Sequence, residues 1–256
     1  MEKTLVILLG NARGGEKTWH TMFENLMYPY NADLALLFGE TKSGDNSLFK
    51  AAKYVWELPE YENWADYYND NCTGNWREFY DKNSNTGVSG GIDKYSGSGA
   101  IIFAFRHYLL KNYSDILLQY DRIILTRSDH YYLFKHPVLT NDAFYIVEGE
   151  DHGGVYDRHH IFPSHMCKDV LGIVEYICSP ISLQLNNLNP EKALLEYYKY
   201  NGLYANIKRC KRVQCTVKLK EDQTRWAVGV CPMPEHDDIL LKRPREYELA
   251  LRNKEQ

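Results

Sequence analysis

Tyr120–Tyr132 reads YDRIILTRSDHYY, and its centre, Ile123-Ile124-Leu125, is an apolar run that passes directly into Arg127-Ser128-Asp129-His130. A run this apolar belongs to a buried strand. A central strand of an open α/β sheet exposes its last residues at the carboxyl edge, where such sheets bind ligands. The segment therefore delivers Asp129, flanked by Arg127 and His130, to a site. The plainer alternative is a turn cap, since aspartate after a strand bonds its local backbone. With these neighbours the carboxylate suits a divalent cation that in turn holds a diphosphate. Mg²⁺ or Mn²⁺ takes hard oxygen ligands at ~2.0–2.2 Å and uses one or two protein carboxylates, with phosphates and water completing the shell.

Working outward, the pattern is that of an α/β chain. Thr4–Leu9 is a first strand that stops at the glycine-rich turn Gly10–Gly15. Glu16–Leu26 carries Trp19, Met22, Phe23 and Leu26 at helical spacing, and Ala32–Phe38 is a second strand. Strand, helix, strand implies a parallel crossover. Lys53–Leu58 reads as a short third strand. Glu60–Tyr95 has no clear period and reads as a loop region with a partial helix near Trp64–Tyr68. Ser96–Asn112 is helical, with Ser114–Tyr120 extending it after a break. Ala143–Val147 is a further strand. Ser164 caps a helix to about Cys178, and Asn189-Pro190-Glu191 starts another that stops near Asn201-Gly202. Leu203–Ile207 and Val213–Leu219 read as late strands, Trp226–Val230 is apolar, and Arg245–Leu251 has a short helical pattern in a charged tail. There is no internal repeat. One domain over residues 1–256, with a mixed, mostly parallel central sheet flanked by helices, accounts for the pattern.

The chain is 44% hydrophobic and 25% charged, which is ordinary for a globular domain. A net charge of −4 argues against a protein that coats nucleic acid. No segment approaches the ~20 apolar residues of a membrane span, and MEKTLVILLG reads as a strand rather than a signal sequence, so a cytoplasmic location is expected. The six cysteines form no CxxC pair, and free thiols are expected. The 21 tyrosines serve either as half-buried fillers or as platforms for sugar rings; composition leaves both open.

Three polar clusters invite chemistry: Arg127 to His130; Asp151-His152 through Asp157-Arg158-His159-His160; and His236-Asp237-Asp238 followed by Lys242-Arg243. None has the spacing of HExxH or of a closed zinc site, so a hard-cation, phosphate-handling site fits better. The Gly10–Gly15 turn is neither GxGxxG nor a P-loop. Its place after the first strand still lets Gly10, Asn11 and Arg13 approach a nucleotide, with Arg13 offering a planar fork to diphosphate. A plain turn remains the alternative.

Four stretches, in order, carry a resemblance: LVILLGNARGG with its Trp19 helix and NADLALLFG; FAFRHYLL before YDRIILTRSDHYY; GEDHGGVYDRHHIFPS; and NPEKALLEYYKYNG. Together they span most of residues 4–202, and the chain resembles nucleotide-sugar-dependent glycosyltransferases of the GT-A fold, particularly compact soluble enzymes of large algal viruses and bacterial enzymes of lipopolysaccharide assembly. The resemblance implies a nucleotide-binding half, about 1–130, and an acceptor-side half, about 131–256. It implies a nucleoside-diphosphate sugar as donor, a glycan acceptor, Mn²⁺ or Mg²⁺ as cofactor, and the cytoplasm as location, a host's if the chain is viral. GT-A enzymes bind metal through an Asp-X-Asp motif; here Arg127 stands in the first acidic place. Asp129 then matches the metal position, and Arg127 and Ser128 lie beside the nucleotide. Asp157, in Gly153-Gly154-X-X-Asp157-Arg158, matches an acceptor-activating base for an inverting reaction, its alternative being an ion pair with Arg158. His236 matches a late metal ligand, with Lys242 and Arg243 near the leaving phosphate; a solvated charged tail is the alternative. Two rival functions share these residues: a catalytically silent sugar- or nucleotide-sugar-binding protein, and a metal-dependent phosphodiesterase, which needs two metals ~3.5–4 Å apart.

Overall fold

A computed structural model describes residues 2–39, 45–222 and 230–254. The chain runs β1 (Thr4–Gly10), α1 (Gly15–Met22), which continues through a π-helical turn (Phe23–Met27) into α2 (Tyr28–Tyr30), β2 (Asp33–Phe38), α3 (Ser47–Ala51), β3 (Tyr54–Glu57), α4 (Trp64–Asn71), α5 (Trp76–Lys82), α6 (Gly99–Leu117), β4 (Arg122–Thr126), β5 (His130–Tyr132), β6 (Phe144–Val147), β7 (His160–Pro163), α7 (Cys167–Leu171), α8 (Ile173–Cys178), α9 (Pro190–Tyr200), β8 (Ile207–Cys210), β9 (Gln214–Leu219), β10 (Cys231–Pro232), β11 (Ile239–Leu241) and α10 (Pro244–Lys254). Seven strands form one sheet in the order β3-β2-β1-β4-β7-β6-β8. β3, β2, β1 and β4 are mutually parallel, β6 is parallel to β8, and β7 runs antiparallel to both its neighbours. The sheet is therefore mixed and mostly parallel. A smaller sheet has the order β10-β11-β9-β5.

Alternation along the strands explains why the central runs are apolar throughout. Successive side chains point to opposite faces, and both faces are covered. Leu5, Ile7, Leu37, Ile123 and Leu125 enter one core with aromatic residues of α4, α5 and α6. Val6, Leu8, Leu36, Phe38 and Ile124 enter another with Trp19, Met22 and Leu26 of the first helical segment. Many tyrosines are core residues with their hydroxyls satisfied: Tyr67 donates to the Ala104 carbonyl, Tyr68 to the Ala100 carbonyl and Tyr80 to the Tyr68 hydroxyl. α9 starts where its sequence indicates, the Asn189 Oδ1 accepting from the Lys192 N–H at 2.8 Å. All six cysteines are free. Among the described residues no helix is long and apolar enough to cross a membrane.

Several expectations are corrected. β4 ends at Thr126, and Asp129 lies in the crossing to β5 of the small sheet rather than at the strand's tip. The region Glu60–Tyr95 holds two helices, not one: Trp76, Phe79 and Tyr80 are one buried helical face that intervening polar residues disguise. α6 continues through Lys111–Ser114 without a break. The helix after Ser164 is divided at Gly172. His160, read as the end of a polar cluster, instead opens β7, whose four residues are all buried. Leu203–Ile207 is mostly a 3₁₀ turn, and the strand begins at Ile207. The run at Trp226–Val230 lies, apart from Val230, outside the described residues.

Candidate active site

Strand direction gathers the polar segments. β1 and β4 are parallel, so the residues after Gly10 and after Thr126 leave from the same edge of the sheet. β7 is antiparallel to β4, with His160 opposite Leu125, so Asp157, Arg158 and His159 reach that edge just before the strand begins. β6 and β8 also end there, adding the turn from Glu148 and then Arg212. The small sheet closes the group. Lys242 follows β11, and its N–H donates to the Thr216 carbonyl on β9, whose partner in β5 is His130.

Asp129 is the hub of the first half of the site. Its Oδ1 accepts from Arg127 Nε at 2.7 Å and its Oδ2 from Arg127 Nη2 at 2.7 Å, a bidentate pair. Lys242 Nζ adds a third bond to Oδ2 at 3.0 Å. The Asp129 side chain is 2% exposed and that of Lys242 6%, while that of Arg127 is 28% exposed. Burial alone would raise the Asp129 carboxyl; the Arg127 and Lys242 charges outweigh it and hold the group well below the ordinary carboxylate range. For Lys242 burial wins and its pKa is lowered, Arg127 and Arg13 adding to the effect against Asp129.

The glycine turn packs onto this hub. A Cβ at Gly14, where φ is +88°, would lie 3.2 Å from the Asp129 Cα, so the position needs glycine for its conformation and its contact. Ser128 stitches the two turns together, its Oγ donating to the Asn11 carbonyl at 2.7 Å and accepting from the Arg13 N–H at 3.0 Å. The Asn11 side chain donates to Glu60 Oε1 and accepts from the Gly39 N–H, which also bonds the Gly10 carbonyl. The Arg13 side chain is exposed and pairs with no carboxylate among the described residues.

The second half centres on Arg158 and Glu246. Arg158 Nη1 lies 3.2 Å from Glu246 Oε1, and Arg158 Nε lies 3.4 Å from Asp157 Oδ1 without hydrogen-bonding geometry. Asp157 Oδ1 is buried with no hydrogen-bond partner among the described residues, while Arg106 Nη2, on α6, anchors the Asp157 carbonyl at 2.9 Å. Glu246, fully buried on α10, accepts from the Thr216 N–H and hydroxyl at 2.7 Å each. Burial would raise its carboxyl, but Arg158 and Arg212 hold it at about 2. Glu191, at the start of α9, is pushed up to about 7 by burial and then by the Asp157 charge. Arg243 is half-buried, Nη1 lying 3.4 Å from His152 Nε2, and Asp157 and Arg158 are among the charges acting on it. Arg127 in turn feels Arg158 and Asp157, so the two halves form one electrostatic unit. Of the side chains named here, the cations Arg13, Arg106, Arg127, Arg158, Arg212, Lys242 and Arg243 outnumber the carboxylates Glu60, Asp129, Asp157, Glu191 and Glu246.

Of the residues singled out in sequence, Arg127, Asp129 and Lys242 are in direct contact, Ser128, Asn11 and Arg13 are tied to them through one hydroxyl, and Asp157 and Arg243 belong to the adjoining half. His236 has a different partner: its Nε2 is 3.0 Å from the Tyr131 hydroxyl. Glu191, Glu246, Arg106 and Arg212 carried no readable signal: Arg106 is a lone charge in an apolar helix, and Glu191, Arg212 and Glu246 stand beside other charged residues and look like surface positions until the fold buries them. A shallow cavity of about 270 Å³, lined by residues including Glu2, Lys3, Asp33, Lys53 and Tyr120, lies at the opposite edge, where β1 and β4 begin. Its Lys53 and Asp33 are already paired at 2.6 Å, and ligands of open α/β sheets sit at the carboxyl edge.

Comparison with protein-family models finds none that matches this chain, and comparison with curated proteins finds no match either. The divalent cation implied by the resemblance can be tested against the side chains. Both Asp129 oxygens are committed to cations, and His236 is bonded elsewhere. As arranged, these residues do not fit a metal ion.

Proposed function

We propose that this chain is a glycosyltransferase of the GT-A type, moving a sugar from a nucleoside-diphosphate sugar to a hydroxyl of a glycan acceptor. The observation that supports it is the surplus of cations where β1 and β4 end, with the Asp157 carboxylate in the adjoining half, ion-paired with Arg158 but accepting no hydrogen bond at Oδ1 among the described residues. In the reaction, the bond from the anomeric carbon to the diphosphate oxygen breaks and its electron pair stays on that oxygen. A new bond forms from the anomeric carbon to the acceptor oxygen, whose proton passes to Asp157. Negative charge grows on the leaving diphosphate, and cations fixed beforehand by their ion pairs stabilise what forms without reorganising. Proton removal by a positioned carboxylate contributes roughly 10²–10⁴-fold. No step is assigned to a metal. The six free cysteines accord with a reducing cytoplasm, a host's if the chain is viral.

The test is release of nucleoside diphosphate from a panel of nucleotide sugars, with and without acceptor glycans. Release is expected with at least one donor, and Asp157→Asn lowers its acceptor-dependent part by roughly 10²-fold or more. Binding without any release, with or without Mn²⁺, favours a silent sugar-nucleotide binder instead, and cleavage of a polynucleotide favours a phosphodiesterase.

A further inference from the structure

We propose that Arg127 and Lys242, pinned together by Asp129 and joined by Arg13 at the rim, form a side-chain cation site that holds the diphosphate of a nucleoside diphosphate without a divalent metal. This rests on the transferase reading and makes Asp129 a positioning residue rather than a metal ligand.

Three features carry it. A divalent ion binds carboxylate oxygens directly, and both Asp129 oxygens already accept hydrogen bonds from Arg127 and Lys242. Three of the carboxylate's roughly four lone-pair sites are taken, and an ion on the one left, at Oδ1, would sit in a buried site beside Arg127 and Lys242 with like charge. The charge balance runs the same way: one carboxylate faces two cations, and the residue in the first acidic place of an Asp-X-Asp motif is itself a cation, Arg127. The remaining donors are also available to an anion. Arg127 is part-exposed and its Nη1 makes no hydrogen bond among the described residues. Among the described residues Lys242 Nζ makes one hydrogen bond, to Asp129. Arg13 is exposed, and the Ser128 hydroxyl fixes its backbone beside the hub. Planar guanidinium forks match phosphate oxygens in geometry as well as charge.

The test is calorimetric titration of the full chain with UDP, GDP, ADP, CDP and dTDP, in excess EDTA and again in Mn²⁺. At least one is expected to bind in EDTA with a Kd within about threefold of that in Mn²⁺. In EDTA, Arg13→Gln and Lys242→Met each weaken binding about tenfold, whereas Lys242→Arg, which keeps the cation, restores most of it. If Lys242→Met fails to fold, the exposed Arg13→Gln decides alone. Binding that disappears in EDTA and returns with Mn²⁺ overturns the metal-free site and leaves the transferase reading standing. So does binding in EDTA that is indifferent to both variants. Absence of binding for all five nucleotides in both conditions overturns the two readings together.

Discussion

Acidification is expected to destabilise this protein well before Asp129 and Glu246 protonate, because four histidines are buried in the neutral form. His130, His136, His159 and His160 are all between 0% and 2% exposed. Burial pulls His130 down to about 3 and His136 to about 4, and pulls His159 and His160 well below the ordinary histidine value. Hydrogen bonding fixes the same state for His160: Arg106 Nη2 lies 3.3 Å from Nδ1 and can only donate, so Nδ1 accepts, while Nε2 donates to the Tyr156 carbonyl at 2.7 Å. In the unfolded chain each ring binds its proton near pH 6.5, so below that pH the unfolded state holds more protons and stability falls as pH falls. The loss continues down to the folded pKa, about 4 for His136 and about 3 for His130. Between about pH 7 and 5.5 each ring costs ~1.2 kcal/mol and the four together ~5 kcal/mol. Glu191, raised to about 7 in the folded state, takes up its proton there first and offsets ~1.5 kcal/mol of this in the same window. The net ~3.5 kcal/mol is a large share of the ~5–15 kcal/mol stability of many domains. Asp129 and Glu246, both lowered in the folded state, add their loss only below the unfolded carboxyl pKa of about 4, a separate window. Urea midpoints measured at intervals from pH 7.5 to 5 give the slope. Stability that is flat or rises on acidification across this range would refute the neutral, buried assignment.

Two substitutions probe how the site is held. Glu246→Ala strips the only carboxylate within salt-bridge distance of both Arg158 and Arg212 among the described residues, and is expected to cost about 3–5 kcal/mol in urea denaturation; a loss under about 1 kcal/mol would mean that solvent already screens these charges. Gly154→Ala places a Cβ 2.1 Å from the Glu191 backbone at the start of α9, so the turn before Asp157 must shift at a cost of ~1–3 kcal/mol, read as a lowered Tm. An unchanged Tm would show that this turn does not rest on α9.

The strands that build the sheet were legible because their composition and position agree. A run buried on both faces has no polar interruption, so Leu5–Leu8, Leu34–Phe38 and Ile123–Leu125 stand out in sequence. β7 did not, because His160 is a buried histidine satisfied by Arg106 and a carbonyl, and histidine pairs signal polarity until their partners are known. α5 was hidden for the complementary reason, its Trp76, Phe79 and Tyr80 lying between charged residues in a segment crowded with asparagine and glycine. At the site, the turns after β1 and β4 were found through their polar residues, but their pairing was not. Asp129 and Lys242 are separated by most of the second half of the chain, and only the β5–β9–β11 ladder brings them to 3.0 Å. The bland reading of Lys242 and Arg243 as a solvated tail fails for Lys242, which is 5% exposed. Sequence alone does not separate the two, since β11, three residues long, gives too short a pattern to read.

The most direct measurement of the central claim is the position of a bound nucleoside diphosphate in a crystal of this protein. The diphosphate is predicted at the carboxyl edge of β1 and β4, within hydrogen-bonding distance of Arg127 and Lys242 and beside Arg13. A nucleotide found instead at the opposite edge, against Lys53 and Tyr120, would contradict the account.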